Sequence, residues 1–244
     1  MLIENTLFGI VSKIEDAIAF LKEHEPPEGY YVAFSGGKDS VVMLDLVRRS
    51  GVKHDVHMNL TSVDPPELLL FVRKHYPDID FIKPLKSMYQ LIIENGIPPM
   101  RNKRYCCRFL KEHSGENRHV VTGVRSKEGG NRAKYESIDF DEDRNKTHIR
   151  PILNWLEKDI WQYIKEKELP YCSLYDEGRK RIGCVMCPMS RPIGQQRDMK
   201  RWPHIYKMYL GACNKAFEVR IKKGLKTTWN NGQEMMDWWI GIKN

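Results

Sequence analysis

Between Leu7 and His24 the apolar residues Leu7, Ile10, Val11, Ile14, Ile18 and Leu21 recur at spacings of three and four, which predicts a helix with one apolar face. Pro26 and Pro27 end it. Tyr30 to Phe34 then reads as a short buried strand, followed by a glycine-rich turn and the apolar helical stretch Val41 to Val47. The alternation continues with a strand from His54 to Leu60, a helix opened by proline from Pro66 to His75, a strand from Phe81 to Pro84, a helix from Ser87 to Glu94 and a strand from His119 to Val124. A helix over Asn154 to Lys167 has Trp155, Ile160, Trp161 and Ile164 to face a core. Strands and helices in alternation predict an α/β fold, a parallel sheet with helices on both faces. The expected layout is an N-terminal helix in residues 1–29, an α/β domain in 30–178, and a small helical, cysteine-containing region in 179–244 whose main helix runs from Ile205 to about Lys223.

The apolar runs are short, Leu68 to Val72 being typical, and none approaches the roughly 20 residues that span a bilayer. Met1 to Thr6 has no basic stretch ahead of an apolar one, so no secretory signal is expected and the cytoplasm is the default address. With 41% hydrophobic and 30% charged residues, composition excludes collagen-like, low-complexity and disordered chains. The net charge of +8 favours polyanionic ligands such as nucleotides or nucleic acid. Six cysteines in a chain without a secretory signal point to metal ligation or redox chemistry rather than a disulfide framework.

Ser35-Gly36-Gly37-Lys38-Asp39-Ser40 lies between the first predicted strand of the α/β domain and a helix. Two glycines let the backbone turn its N–H groups toward an anion, the helix adds its positive end, Lys38 adds a full charge, and Ser35 and Ser40 add hydroxyls. The spacing is not that of the Walker loop, so γ-phosphate transfer is not what it suggests. A plain glycine-rich turn with a solvated Lys and Asp is the competing reading.

This strand, loop and helix resemble the PP-loop of the AMP-forming ATP pyrophosphatases, and the rest of the chain resembles the phosphoadenosine phosphosulfate (PAPS) reductase family within that group. The matching pieces include Val63-Asp64-Pro65-Pro66-Glu67, Arg104-Tyr105-Cys106-Cys107-Arg108, Thr122-Gly123-Val124-Arg125 with Arg132, Leu174-Tyr175, and Arg181-Ile182-Gly183-Cys184. The resemblance implies a Rossmann-like, HUP-type sheet binding an adenine nucleotide. The loop residues Ser35 to Ser40 would hold phosphates, Met58 would lie beside adenine, and Gly123, Arg125 and Arg132 would complete the site, with Lys38, Asp39 and Arg125 in catalytic roles. ATP and Mg²⁺ near Asp39 are the implied ligands.

Cys106-Cys107 and Cys184-x-x-Cys187 are two short-range pairs far apart in sequence, a common construction for a four-thiolate site. Adjacent cysteines meet a single tetrahedral zinc with difficulty, whereas each can bind a different iron of a [4Fe-4S] cluster. The spacing favours the cluster, with zinc or buried structural thiols as alternatives and Cys172 as a substitute fourth ligand. The pattern also resembles the adenylylsulfate-type reductases of the family.

The chain departs from the sulfonucleotide reductases in two ways. It lacks their C-terminal Glu-Cys-Gly-Leu/Ile-His motif, its last cysteine being Cys213 inside a predicted helix, and it keeps the Lys and Asp of an ATP-type loop. Both departures favour adenylation of a substrate with sulfur transfer, of the DNA phosphorothioation or tRNA thiolation type, and a sulfur-donor protein as partner. Sulfonucleotide (APS or PAPS) reduction, and a nucleotide-binding module serving a partner enzyme, are the other two classes. The basic tracts Arg101 to Lys111 and Arg179 to Arg201 offer a nucleic-acid surface, with Trp202, Tyr206 and Tyr209 for stacking. A solvated face over core aromatics explains the same residues, and Trp238 and Trp239 are expected to pack against the body. The eight histidines have no ligand-like spacing.

Overall fold

The computed structural model describes residues 2–6, 9–129 and 132–242, which form two compact units. The first comprises residues 1–59, 66–82 and 114–182, and the second 60–65, 83–113 and 183–244.

The first unit opens with a two-stranded antiparallel hairpin, β1 (Ile3–Thr6) and β2 (Gly9–Ser12). The expected helix therefore starts later, as α1 (Lys13–Glu23), where the Ser12 hydroxyl accepts the Glu15 N–H and sets the boundary. Ile10 and Val11 fit the helical spacing from Leu7 to Ile14, but both are β-branched and suit a strand equally. Leu7, the first residue of the expected helix, lies outside the described residues.

Six strands make the main sheet: β3 (Tyr30–Ala33), β4 (His54–Asn59), β5 (Asp80–Ile82), β6 (His119–Val121), β7 (Ile138–Asp141) and β8 (Lys146–Ile149). Their order is β5-β4-β3-β6-β8-β7, and every pairing is parallel except the edge pair β7–β8. This is a Rossmann-like α/β sheet, with one correction to the expectation of a wholly parallel one. Ile138 to Ile149 contains Asp139, Asp141, Glu142, Asp143 and Arg144, and that charge hides the period-2 signal of an edge hairpin. Central β3 is apolar along its length, as a strand flanked on both sides must be.

Around the sheet run α2 (Lys38–Ser50), α3 (Pro66–His75) and α6 (Glu157–Glu166). Helix α2 buries Val41, Val42, Met43, Leu44, Leu46 and Val47. It is tied to α6 by the Tyr163 hydroxyl, which donates to Asp45 at 2.6 Å, while Arg49 reaches the same carboxylate oxygen at 2.6 Å. Helices α1 and α6 are joined by Lys13 and the fully buried Asp159, 2.7 Å apart.

The second unit holds α4 (Met88–Asn95), α5 (Tyr105–Leu110), α7 (Pro192–Arg201), α8 (Pro203–Lys222) and α9 (Gly232–Trp239). Its core is α8 between α4 and α9: Leu91, Ile92, Tyr209, Ala212, Ala216 and Met236 are buried. A Cβ on Gly232 would lie 2.4 Å from the Asn214 Cα, so glycine is what lets α9 meet α8. Trp239 is buried and donates to the Pro99 carbonyl at 2.6 Å. Trp238, expected to pack, is 45% exposed, with its ring 5.0 Å from that of Trp229.

The Lys13–Asp159 tie carries a pH dependence. Burial raises the Asp159 pKa, but the Lys13 ammonium and the Leu156 N–H overcome it and bring the carboxyl down to about 2 from 3.8. A depressed carboxylate contributes stability above its unfolded pKa and loses it as pH falls through the folded value. Thermal melts between pH 6 and pH 2 are therefore expected to lose stability between about pH 4 and pH 2, and Asp159→Asn should be less stable at pH 6 and flatter across that window. A variant with the same profile as the parent would remove this pair from the fold's electrostatics.

Candidate functional site

The chain leaves β3 through Phe34 and turns at Gly36, whose φ of +70° is left-handed, the region that suits glycine. A Cβ there would also lie 2.6 Å from Leu68 Cδ1 and 2.9 Å from Val72 Cγ2, so the turn presses on α3. Ser40 fixes the loop from inside: its hydroxyl donates to the Gly37 carbonyl at 2.9 Å and accepts the Ser35 N–H at 3.2 Å. Gly37 is the N-cap of α2, so the loop opens onto the positive end of a 13-residue helix.

The segment after β6 comes down on this helix end. A Cβ on Gly123 would meet the Asp39 carbonyl carbon and oxygen at 2.9 Å and the Ser40 nitrogen at 3.0 Å, all backbone. Between the two segments is a cleft of about 200 Å³ lined by Ser35, Gly37, Asp39, Ser40, Thr122 and Gly123 on one part and by Glu128, Arg132, Tyr175 and Arg181 on another. The Thr122 hydroxyl in this lining is buried and has no hydrogen-bond partner.

Of the residues expected here, Ser35, Gly37, Asp39, Ser40, Gly123 and Arg132 line the cleft, whereas Gly36, Lys38, Met58 and Arg125 do not. Met58 is buried in β4. The Lys38 side chain is also buried: its ammonium donates to the Lys180 carbonyl at 2.9 Å and lies 3.6 Å from Asp39 and 3.5 Å from Glu157. Arg125 is buried too, with Nε 2.5 Å from Asp39 Oδ1. Both Asp39 oxygens thus face cations, and in this arrangement the carboxylate does not fit a metal ion that it alone would hold.

The guanidiniums that do line the cleft are Arg132 and Arg181, bridged by the Glu128 carboxylate, which contacts Arg132 and lies 3.6 Å from Arg181. Burial, and then the charge of Arg181, lower the Arg132 pKa. Sequence pattern alone assigns no ligand role to Arg181, Glu128, Thr122 or Tyr175. Tyr175 is the least legible of these, an aromatic whose hydroxyl accepts the Lys38 N–H at 2.9 Å from 137 residues away.

The second unit collects four thiols. Cys106 and Cys107 sit on α5, and Cys184 and Cys187 on a turn anchored by the Val185 N–H on the Val63 carbonyl, the Met186 N–H on Asp198, the Tyr209 hydroxyl on the Val185 carbonyl and the Gln195 amide N–H on the Met186 carbonyl. Met186, between the pair, has a left-handed φ of 57°, a strained conformation for this side chain. The Cys106 thiol is raised first by its hydrogen bond to Cys107 and then by burial and the charges of Cys107, Cys184 and Cys187, while Cys107 is lowered by the same bond and by Arg104 and Lys111. The four therefore act on one another. Among the described residues no three His, Cys, Asp or Glu side chains are placed to hold one metal ion. Cys172 belongs to the first unit, buried, where the charges acting on it are those of Glu67, Glu177 and Asp176.

Of the aromatics offered for stacking, Trp202 and Tyr209 are buried in the core, and Tyr206 is half-buried, its hydroxyl accepting the Gln233 amide N–H. No helix among the described residues is long and apolar enough to cross a membrane.

Residues 29–190 match the family described as the phosphoadenosine phosphosulfate reductase domain. The chain is 31% identical, over 89% of its length, to an uncharacterised protein of Methanocaldococcus jannaschii, of which it spans half. It is 30% identical to a probable FAD synthase of Schizosaccharomyces pombe, over 79% of this chain and 74% of that one. It is 28% identical to an adenosine 5'-phosphosulfate reductase of Shouchella clausii, over 70% and 75%. The crystal structure of the PAPS reductase from Candida auris has the same fold, with a TM-score of 0.56 at 22% identity over 72% of this chain and 90% of that one.

Gly123→Ala tests the geometry of the cleft. Its methyl would meet backbone that has nowhere to go, so the variant should lose about 1 to 3 kcal/mol of stability in denaturant titrations. Unchanged stability would show that the two segments do not touch.

Proposed function

We propose, starting from the fact that this chain belongs to the phosphoadenosine phosphosulfate reductase domain family, that it binds ATP in the cleft and transfers the adenylyl group to a substrate oxygen. That oxygen attacks the α-phosphorus, the bond to pyrophosphate breaks, and the proton of the attacking group leaves to water. A sulfur nucleophile then displaces AMP from the adenylated substrate.

The observation that carries this reading is the burial of both thiols outside the set of four. Reduction of a sulfonucleotide needs a thiolate to take the sulfonate. Cys213 is 0% exposed inside α8, its sulfur lies 3.8 Å from that of Met236, and burial pushes its pKa up to about 12. A thiol held that high stays protonated at neutral pH. Cys172 is likewise 0% exposed and raised by burial. Adenylation needs no protein thiol. A relative at 30% identity named as a probable FAD synthase supports adenylyl chemistry on this scaffold.

In this reading charge builds on the leaving pyrophosphate, where Arg132, Arg181 and the positive end of α2 line the cleft. Tyr175 and Ser40 hold the loop in shape, and Arg125 holds Asp39. Thr122 has a hydroxyl free to meet a ligand. Because the carboxylate of Asp39 is engaged by Arg125, no step is assigned to a metal ion held there. Cys106, Cys107, Cys184 and Cys187 would hold a [4Fe-4S] cluster. Bonds to separate irons do not require three sulfurs to meet at one point, which suits the cluster better than zinc. When bound, the cluster would supply electrons or sulfide.

The relatives named adenosine 5'-phosphosulfate reductases favour a second reading, sulfonucleotide reduction. Intact mass after incubation with adenylylsulfate or PAPS separates the two. No sulfonate adduct is expected, whereas an adduct on Cys213 or Cys172, releasable by thiol, would overturn adenylation. Arg132→Ala should weaken ATP binding by about 1.5 to 3 kcal/mol in calorimetry, the loss of a charge-assisted contact, and Cys213→Ser should leave it unchanged. An Arg132→Ala protein that binds ATP normally would remove the cleft from the proposal. Protein made without oxygen should be brown and contain iron and acid-labile sulfide, and a colourless protein with one tightly held zinc would place the four thiols in a structural site.

A further inference from the structure

The charge of this protein is divided unequally between its two units. The second unit has 18 Lys and Arg against 7 Asp and Glu, a net +11, while the first has 22 against 25, a net −3. The whole excess of +8 therefore belongs to the unit that lacks the nucleotide cleft, so ATP phosphates do not account for it.

Within that unit the exposed cations are concentrated. Arg101, Lys103, Arg104 and Arg108 are exposed on and just before α5. Helix α7 presents Arg197 and Lys200 three residues apart on its solvent side, and its single acid, Asp198, is turned inward to accept the Met186 N–H. Like charges at that spacing destabilise an isolated helix, so a face that keeps them suits an anionic ligand. The two segments are joined, since Arg101 donates to the carbonyl of Met189, three residues before α7, at 2.8 Å. On the same helix as Arg108, Phe109 is 51% exposed. The exposed ring, next in sequence to Arg108, offers a face on which a base can stack.

We infer that this surface of the second unit binds single-stranded nucleic acid, its cations following the phosphates and Phe109 stacking on a base. Cations alone would also suit an acidic protein or a duplex. The exposed ring is what selects an unpaired strand, because paired bases do not present their faces. The inference does not depend on the adenylation reading, and its test uses no ATP.

Fluorescence anisotropy of the full-length protein with a fluorescein-labelled oligouridylate, measured across a range of KCl, tests it. Binding should weaken steeply with salt. Arg197→Glu/Lys200→Glu should bind more weakly and reduce the slope of log K against log[KCl] by about 1.4, some 0.7 for each phosphate of a single strand that is no longer neutralised. Phe109→Ala should lose roughly fivefold or more in affinity with the slope unchanged, and Phe109→Tyr should recover it. Lys22→Glu, an exposed charge on α1 of the first unit, should bind like the parent. Circular dichroism confirms that each variant is folded. Absence of binding at low salt would overturn the inference. So would equal displacement by poly-glutamate, or tighter binding of a duplex together with no effect of Phe109→Ala.

Discussion

The cleft depends on one contact between main chains. Gly123 lies so close to the Asp39 carbonyl and the Ser40 nitrogen that no side chain fits between them. This contact brings the segment after β6 onto the first turn of α2, and the ion pair of Arg125 with Asp39 fastens it two residues further on. Neighbouring β3 and β6 are parallel, so both segments leave the sheet at the same end, where ligands of open α/β sheets bind. Sheet order, glycine and ion pair thus act together, and the cleft is what remains open beside their contact.

The elements that the sequence makes legible are those whose own residues carry the pattern. Apolar β3, the glycine loop and the apolar run of α2 are local, and they stand where periodicity places them. The edge hairpin β7–β8 is hidden because charge on an exposed strand resembles a loop, and the start of α1 is displaced because β-branched residues serve either a strand or a helix. The candidate site divides in the same way. Ser35, Gly37, Asp39 and Ser40 form a contiguous motif, and Arg132 follows Gly123 closely in sequence. Tyr175 and Arg181 lie in stretches that carry the family resemblance, yet only the fold brings them to the cleft. Lys38 shows the limit of a motif: a lysine beside two glycines is read as a phosphate ligand, while its ammonium is buried against a carbonyl and two carboxylates.

The two units differ in the balance of forces that builds them. The first is a sheet with charged groups paired across elements, as with Lys13 and Asp159, or Arg118 and Asp55. The second buries aromatic and small residues where α4, α8 and α9 meet and leaves its cations outward. Its thiol turn is held by backbone groups: those of Val185 and Met186 bond to Val63, Asp198 and Tyr209, and the Cys187 N–H closes on the Cys184 carbonyl.

The hydroxyl of Tyr175 and the carbonyl of Lys180 both hold Lys38, one by its main chain and one by its side chain. A glycine-rich loop left to itself loses much conformational freedom when it closes on a ligand. Here that entropy is already spent in folding, because a segment more than 130 residues away clamps the loop at both ends of one residue. An incoming anion meets a loop already shaped, and loosening the 173–181 segment would lower affinity twice over, by freeing the loop and by displacing Tyr175 and Arg181 from the lining.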